Sequence, residues 1–167
     1  QKYDEAEAKL NQAINAMPTE AKLYAEMVAV YVKSNRPVEA LLYLESIPDV
    51  SVKKNVTAKM PKTPSISPSN GSYSNPIEVV ITKMSPDEKI YYSLDGSVPN
   101  LVEENLYKGS FVIDDGLVTL RAFSISPDGY ISQELTASYS VYNQNEEYTF
   151  KDKGVEAMVR AQLNKPS

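Results

Sequence analysis

The sequence predicts an α+β chain with several parts: helical repeat hairpins over residues 1–56, an antiparallel β-sandwich over 70–143 and a short C-terminal helix within 144–167. Three observations carry this. Residues 1–56 contain no Gly and are rich in Ala, Leu, Glu and Lys, which favour helix. Residues 57–69, TAKMPKTPSISPS, hold three Pro and few apolar side chains, the composition of a linker. From about residue 70 the text turns to β-branched and Tyr-rich runs punctuated by Gly, Asp and Pro, and 152–164 returns to helical spacing.

In the helical part, Tyr3, Ala6, Leu10, Ala13, Ile14 and Met17 recur every three or four residues and form one apolar stripe. Pro18 stops that helix, and Thr19 stands as N-cap of the next with Glu20 in its first turn. The second stripe is Tyr24, Met27, Val28, Tyr31 and Val32, ending near Ser34-Asn35. Pro37 suits a first helical position, and Leu41, Leu44 and Ile47 carry a third helix to Pro48. Three short antiparallel helices follow. Their spacing resembles about one and a half tetratricopeptide repeats, with Tyr3 to Pro18 matching a second-helix half and Tyr24 to Ile47 the next repeat. Val28 and Pro37 depart from that pattern, so a generic helical hairpin pair remains the alternative. Such a fragment is marginal alone and is expected to lean on an upstream repeat or on the next domain.

The middle part alternates at the strand period in Ile77–Thr82 and Ile90–Leu94. Further strands are expected at Ser110–Asp114, Leu117–Ile125 and Tyr130–Val141, separated by Ser85-Pro86-Asp87, Asp95-Gly96, Asp114-Asp115-Gly116 and Pro127-Asp128-Gly129 turns. Closely spaced turns without intervening helices point to a sandwich of immunoglobulin-like size. The series Ser67-Pro68, Gly71, Tyr73, Tyr91-Tyr92-Ser93-Leu94-Asp95-Gly96-Ser97 with Pro99, Tyr107, Leu120-Arg121-Ala122, Gly129, Ser132 and Tyr139 resembles the C-terminal domain of chitobiases and β-hexosaminidases. That resemblance implies an accessory sandwich beside a catalytic barrel, and so a fold without hydrolysis. In the tail, Phe150, Glu156-Ala157, Val159-Arg160, Leu163 and Lys165-Pro166 resemble the opening cap of bacterial leucine-rich repeat domains. A plain C-terminal helix packing on the sandwich is the competing reading.

Composition narrows the chemistry. The chain has no His, no Cys and no Trp, which removes imidazole bases, thiolate nucleophiles, disulfides and His/Cys metal sites. A net charge of −5 argues against nucleic acid, and no apolar run approaches the roughly 20 residues that span a bilayer. With neither an initiating Met nor a leader, the text reads as a processed form or excised piece, with membrane attachment only through segments absent from it. Asp95 and the Asp114-Asp115 pair allow a paired-carboxylate or calcium reading, but an Asp before Gly is first a turn residue. Asn55-Val56-Thr57 and Asn70-Gly71-Ser72 fit the glycosylation pattern and are assigned no role.

Eight of the twelve Tyr lie between 73 and 148. Tyr91 alternates against Ile90 and Tyr92, and together with Tyr107, Tyr130 and Asp95 it makes the candidate set of glycan contacts; Tyr is equally an ordinary sandwich core residue. No catalytic, cofactor or metal residue is singled out, and no helix face is marked for a protein partner. The expectation is a non-enzymatic binding or scaffold segment of a modular bacterial envelope protein, outside the cell or at its surface. Its helical repeats would engage protein, and its sandwich would act as a spacer. The alternative is a carbohydrate-binding module acting through the sandwich on cell-wall or chitin-like glycans.

Overall fold

The computed structural model describes residues 2–142 and 153–163. Four helices come first: α1 (Lys2–Ala16), α2 (Ala21–Lys33), α3 (Pro37–Ser46) and α4 (Val50–Thr57). Seven strands follow: β1 (Ser65–Ser67), β2 (Gly71–Tyr73), β3 (Ile77–Thr82), β4 (Lys89–Ser93), β5 (Phe111–Ile113), β6 (Gly116–Ile125) and β7 (Leu135–Val141). A last helix, α5, runs over Lys153–Leu163. Among the described residues no helix is long and apolar enough to cross a membrane.

The strands form two sheets, ordered β1-β3-β5 and β2-β7-β6-β4. The pairings between the described strands are antiparallel except β2 with β7, which is parallel. The exception has a local origin. β1 and β2 flank a bend over 68–70 that carries the chain from one sheet to the other. Between the sheets lies a core of Ile77, Val79, Ile81, Ile90, Leu120, Ala122, Tyr139 and Val141. The burial of β3 alternates strictly, as its sequence requires.

The helices differ from expectation in two places. The N-cap of α2 is Glu20, whose carboxylate accepts from Lys22 N at 3.2 Å, because Thr19 is taken up by the turn in which Glu20 N donates to Met17 O. A fourth helix follows the expected three and ends on the first residue of the anticipated linker. Asp49 caps it, accepting from Ser51 N and Val52 N at 2.8 and 2.9 Å, and Val52 and Val56 bury its inner face. The remainder of 57–69 is docked: Pro64 is buried, β1 pairs with β3, and Tyr139 donates its hydroxyl to Pro68 O at 2.9 Å. α1 buries no residue fully. It is held by Glu7, which accepts from Arg36 at 3.0 Å and from the Tyr31 hydroxyl at 3.3 Å, with the guanidinium 4.6 Å above the Tyr31 ring. Hydrogen bonds from Arg36 hold the Glu39 carboxyl below its ordinary range.

The two parts share a core. Of the two supports expected for the helices, the next domain supplies one: Tyr24, Val28, Val32, Leu44 and Val56 share one cluster with Phe123, Ile125 and Ile131. The reason lies in β6. Leu120 and Ala122 face the sandwich core, while Phe123 and Ile125 face the helices, so the strand is covered on both sides. Burying those three sandwich residues under the helices contributes about 2 kcal/mol each. The expected continuous strand Tyr130–Val141 is also interrupted. Ile131 makes only an isolated bridge to Ile125, and Ser132 turns inward, accepting from Ser124 N at 2.9 Å.

The shared cluster predicts one cooperative transition. Phe123→Ala is expected to cost about 3–5 kcal/mol and to lower the helical circular-dichroism signal and the Tyr near-ultraviolet signal at the same temperature. Two separated melts would refute a common core.

Candidate functional site

The structure disperses the four anticipated contact residues. Tyr91, on β4, does point away from the sandwich core, but its ring lies against the helical cluster and 6.3 Å from the Phe123 ring, tilted by 35°. Tyr130 joins the same cluster from the segment after β6, and its hydroxyl donates to Glu26 on α2 at 3.3 Å. Burial, then the Glu26 carboxylate, pushes the Tyr130 phenol up. Tyr107 sits on the sandwich side, edge-on to Tyr92 and Phe111, where its hydroxyl accepts from Ile81 N at 3.0 Å. Its own N–H donates to Ile90 O at 2.9 Å, so this one residue ties the two sheets together. None of the three Tyr is a fully exposed ring.

Asp95 occupies a turn after β4. Its carboxylate accepts from Ser97 N at 2.9 Å and from Ser97 Oγ at 2.6 Å. Gly96 takes φ +79°, a conformation open to Gly, and its carbonyl accepts from Arg121 at 3.1 Å. The hydrogen bonds from Ser97 hold the Asp95 carboxyl below the usual aspartate range. Asp114 and Asp115 are exposed at the turn between β5 and β6. Among the described residues no group of three or more carboxylates is placed to hold a metal ion. In α5, Val155 and Met158 are exposed; Phe150, Lys165 and Pro166 of the cap-like pattern lie outside the described residues.

Three of the concave surfaces include or border these residues. A cleft of about 550 Å³ follows the seam between helices and sandwich, lined by Val32, Lys33, Asn35, Tyr91, Leu101 and Ile125 among others. Asn35, at φ 60°, accepts there from Leu101 N at 3.3 Å. A more open, polar groove of about 620 Å³ borders Asp95, with Tyr92, Asn100, Glu104 and Asn105 along it. The third, about 420 Å³, lies at the edge where β3 and β4 approach, and includes Glu88, Lys89 and Tyr107. Sequence reasoning missed Glu88. It follows Pro86-Asp87 in a stretch that reads simply as a turn.

This two-sheet geometry and its tying Tyr coincide with a family match. Residues 68–145 match the family model of the chitobiase/beta-hexosaminidase C-terminal domain. Among solved structures, a β-1,2-glucanase from Parabacteroides distasonis matches with 14% identity and a TM-score of 0.33, over 61% of this chain. The chain spans 15% of that glucanase. The curated proteins contain no match. Within the chitobiase-like domain, the Tyr-Tyr-x-x-Asp-Gly-Ser-x-Pro stretch supplies β4, the Asp95 turn and the buried Pro99.

Asp95 gives this site a defined acid response. Its folded-state pKa is depressed, so its contribution to stability is complete above the unfolded value of about 3.9 and is lost as pH falls through the folded value. Carbon-detected titration should place the Asp95 midpoint below that of an unfolded aspartate. Asp95→Asn should lower the melting temperature at neutral pH and lose that deficit in acid; a deficit that persists in acid contradicts the assignment.

Proposed function

We propose that this chain is a non-catalytic joint, in which a helical protein-binding unit is held in fixed orientation on a chitobiase-like sandwich, within a modular bacterial envelope protein. The observation that carries the reading is the shared cluster of Tyr24, Val28, Val32 and Leu44 with Phe123, Ile125 and Ile131. A flexible bead-on-string arrangement would leave that sheet face wet. Further support comes from the seam contacts: Tyr130 bonds to Glu26, and Asn35 receives Leu101 N. At Gly129, φ is +92° and an added Cβ would come 2.8 Å from the Lys33 Cε, so backbone and lysine stem are in close approach. The family description names an enzyme's C-terminal domain, which supports an accessory role for this one and an extracellular or envelope setting.

Because the chain has no native Cys, a pair of spin labels can be placed at Leu42→Cys on α3 and Leu117→Cys on β6, both strongly exposed positions. The joint predicts a single narrow interlabel distance distribution in the full chain, unchanged by salt. A broad distribution would overturn the fixed-orientation reading.

A further inference from the structure

The edge cleft contains an anomaly. Glu88 is only 8% exposed, and its Oε2 is buried with no hydrogen-bond partner among the described residues. The backbone of the same residue is fully used: Glu88 N donates to Ser85 O at 3.3 Å, and Glu88 O accepts from Lys83 Nζ at 3.0 Å. The carboxylate therefore sits on a well-fixed turn while one of its oxygens is left unsatisfied. A buried acceptor without a donor is costly, and native proteins rarely keep one unless a ligand or water completes it.

The surroundings define what would complete it. Glu88 lines a cleft of about 420 Å³ together with Ile81, Ile90, Leu106 and Tyr107, a size within the roughly 300–1,000 Å³ of small-ligand sites. Lys83, Lys89 and Lys108 also line it. Lys83 is occupied by main-chain carbonyls, and Lys108 pairs with Glu103 at 2.8 Å. Three ammonium groups oppose a cationic ligand, and the Glu88 carboxylate opposes an anionic one. What fits is neutral and rich in hydroxyl donors, with a C–H face for Ile81, Ile90 and Leu106. The Tyr107 hydroxyl, which accepts from Ile81 N, retains its own proton as a further donor. The wall is rigid because Tyr107 bonds to both sheets.

We propose that this cleft is a saccharide-binding site in which the Glu88 side chain, whose Oε2 is closed off from the cleft, turns on its fixed backbone to accept hydrogen bonds from sugar hydroxyls. It differs from the Tyr91, Tyr107, Tyr130 and Asp95 set in its principal group, and it stands independently of the joint reading, which the interlabel distance tests separately. The site uses the sheet edge, which the helices leave open, rather than the sheet face that they cover.

The test is a ¹H–¹⁵N titration of the full chain with cellotriose and with tri-N-acetylchitotriose at millimolar concentrations. At least one sugar should give saturable shifts at residues 81–83, 88–90 and 106–108. Glu88→Gln should weaken binding by about tenfold or more without lowering the melt, since it removes a buried charge while keeping the shape. Thr82→Trp, at an exposed position on the cleft, blocks it without entering the core and should abolish the shifts. Asp95→Asn should bind like the parent chain. Absence of saturable shifts with both sugars, saturation centred on other residues, or unaltered affinity in both Glu88→Gln and Thr82→Trp would each overturn the site and leave Glu88 satisfied by water alone.

Discussion

The structure depends on β6 being buried on both faces. From Leu120 to Ile125 its side chains alternate between two hydrophobic environments, one between the sheets and one beneath α2, α3 and α4. An antiparallel sheet commonly leaves one face to solvent. Here that outer face carries Phe123 and Ile125, which would be a sizeable apolar patch without the helices. The helices face the reciprocal problem. Four short helices with α1 lacking any fully buried residue cannot enclose much of a core alone. Each unit supplies the surface that the other lacks, and the result is three layers: helices, the β2-β7-β6-β4 sheet and the β1-β3-β5 sheet.

Tyrosine is the residue that makes those layers fit. Tyr107 and Tyr139 lie on the sandwich side, and each spends its hydroxyl on a main-chain group at the rim, Ile81 N and Pro68 O. Tyr24 does the same for Pro18 O at 2.9 Å in the turn before α2. The rings meanwhile pack on one another, Tyr92 stacked on Phe111 at 5.0 Å and Tyr31 edge-on to Tyr43 at 5.5 Å. A phenol combines a large apolar body with one polar atom, so it can fill a core and close the backbone bonds at its margin. With no Trp available and only three Phe, this chain assigns both tasks to Tyr. That economy also explains why a high Tyr content, by itself, does not announce a sugar platform.

Much of this was legible in the residues. The period of two located β3 and β4, Pro and Gly located most turns, and the Tyr-Tyr-x-x-Asp-Gly-Ser-x-Pro stretch led to the domain type. The misses have physical causes. Strands β1 and β2 are three residues each, too short for a periodicity to show, and they lie in Pro/Ser-rich text. Helix α4 has only eight residues and a modest apolar content, so its signal was the Asp49 cap rather than a stripe. The third layer did leave a trace: Tyr91, Phe123 and Ile125 share one parity, opposite to Ile90, Leu120 and Ala122. Large apolar residues on both parities of adjacent strands mean cover on both sides. Reading each strand for a single buried face concealed it. Glu88 left no trace, because the cleft it lines is completed by Leu106, Tyr107 and Lys108, which are distant from it in sequence.

The covered face has a consequence for recognition. Flat aromatic platforms require an open sheet surface, and in this architecture the helices occupy the surface where Tyr91 and Tyr130 would have offered one. The concave surfaces available to a ligand are therefore at seams and edges, where walls come from different elements and side chains converge from several directions. Among these, the edge by β4 has the firmest walls, since Tyr107 bonds to Ile90 and Ile81 at once and thereby fixes the separation of the two sheets there. An unsatisfied carboxylate can persist in such a place because the main-chain bonds of its turn, and not the carboxylate itself, hold the fold together. Rigidity from one set of contacts frees another group to wait for a partner. The same layering that fixes the helices on the sandwich thus decides where on the sandwich a ligand can be recognised.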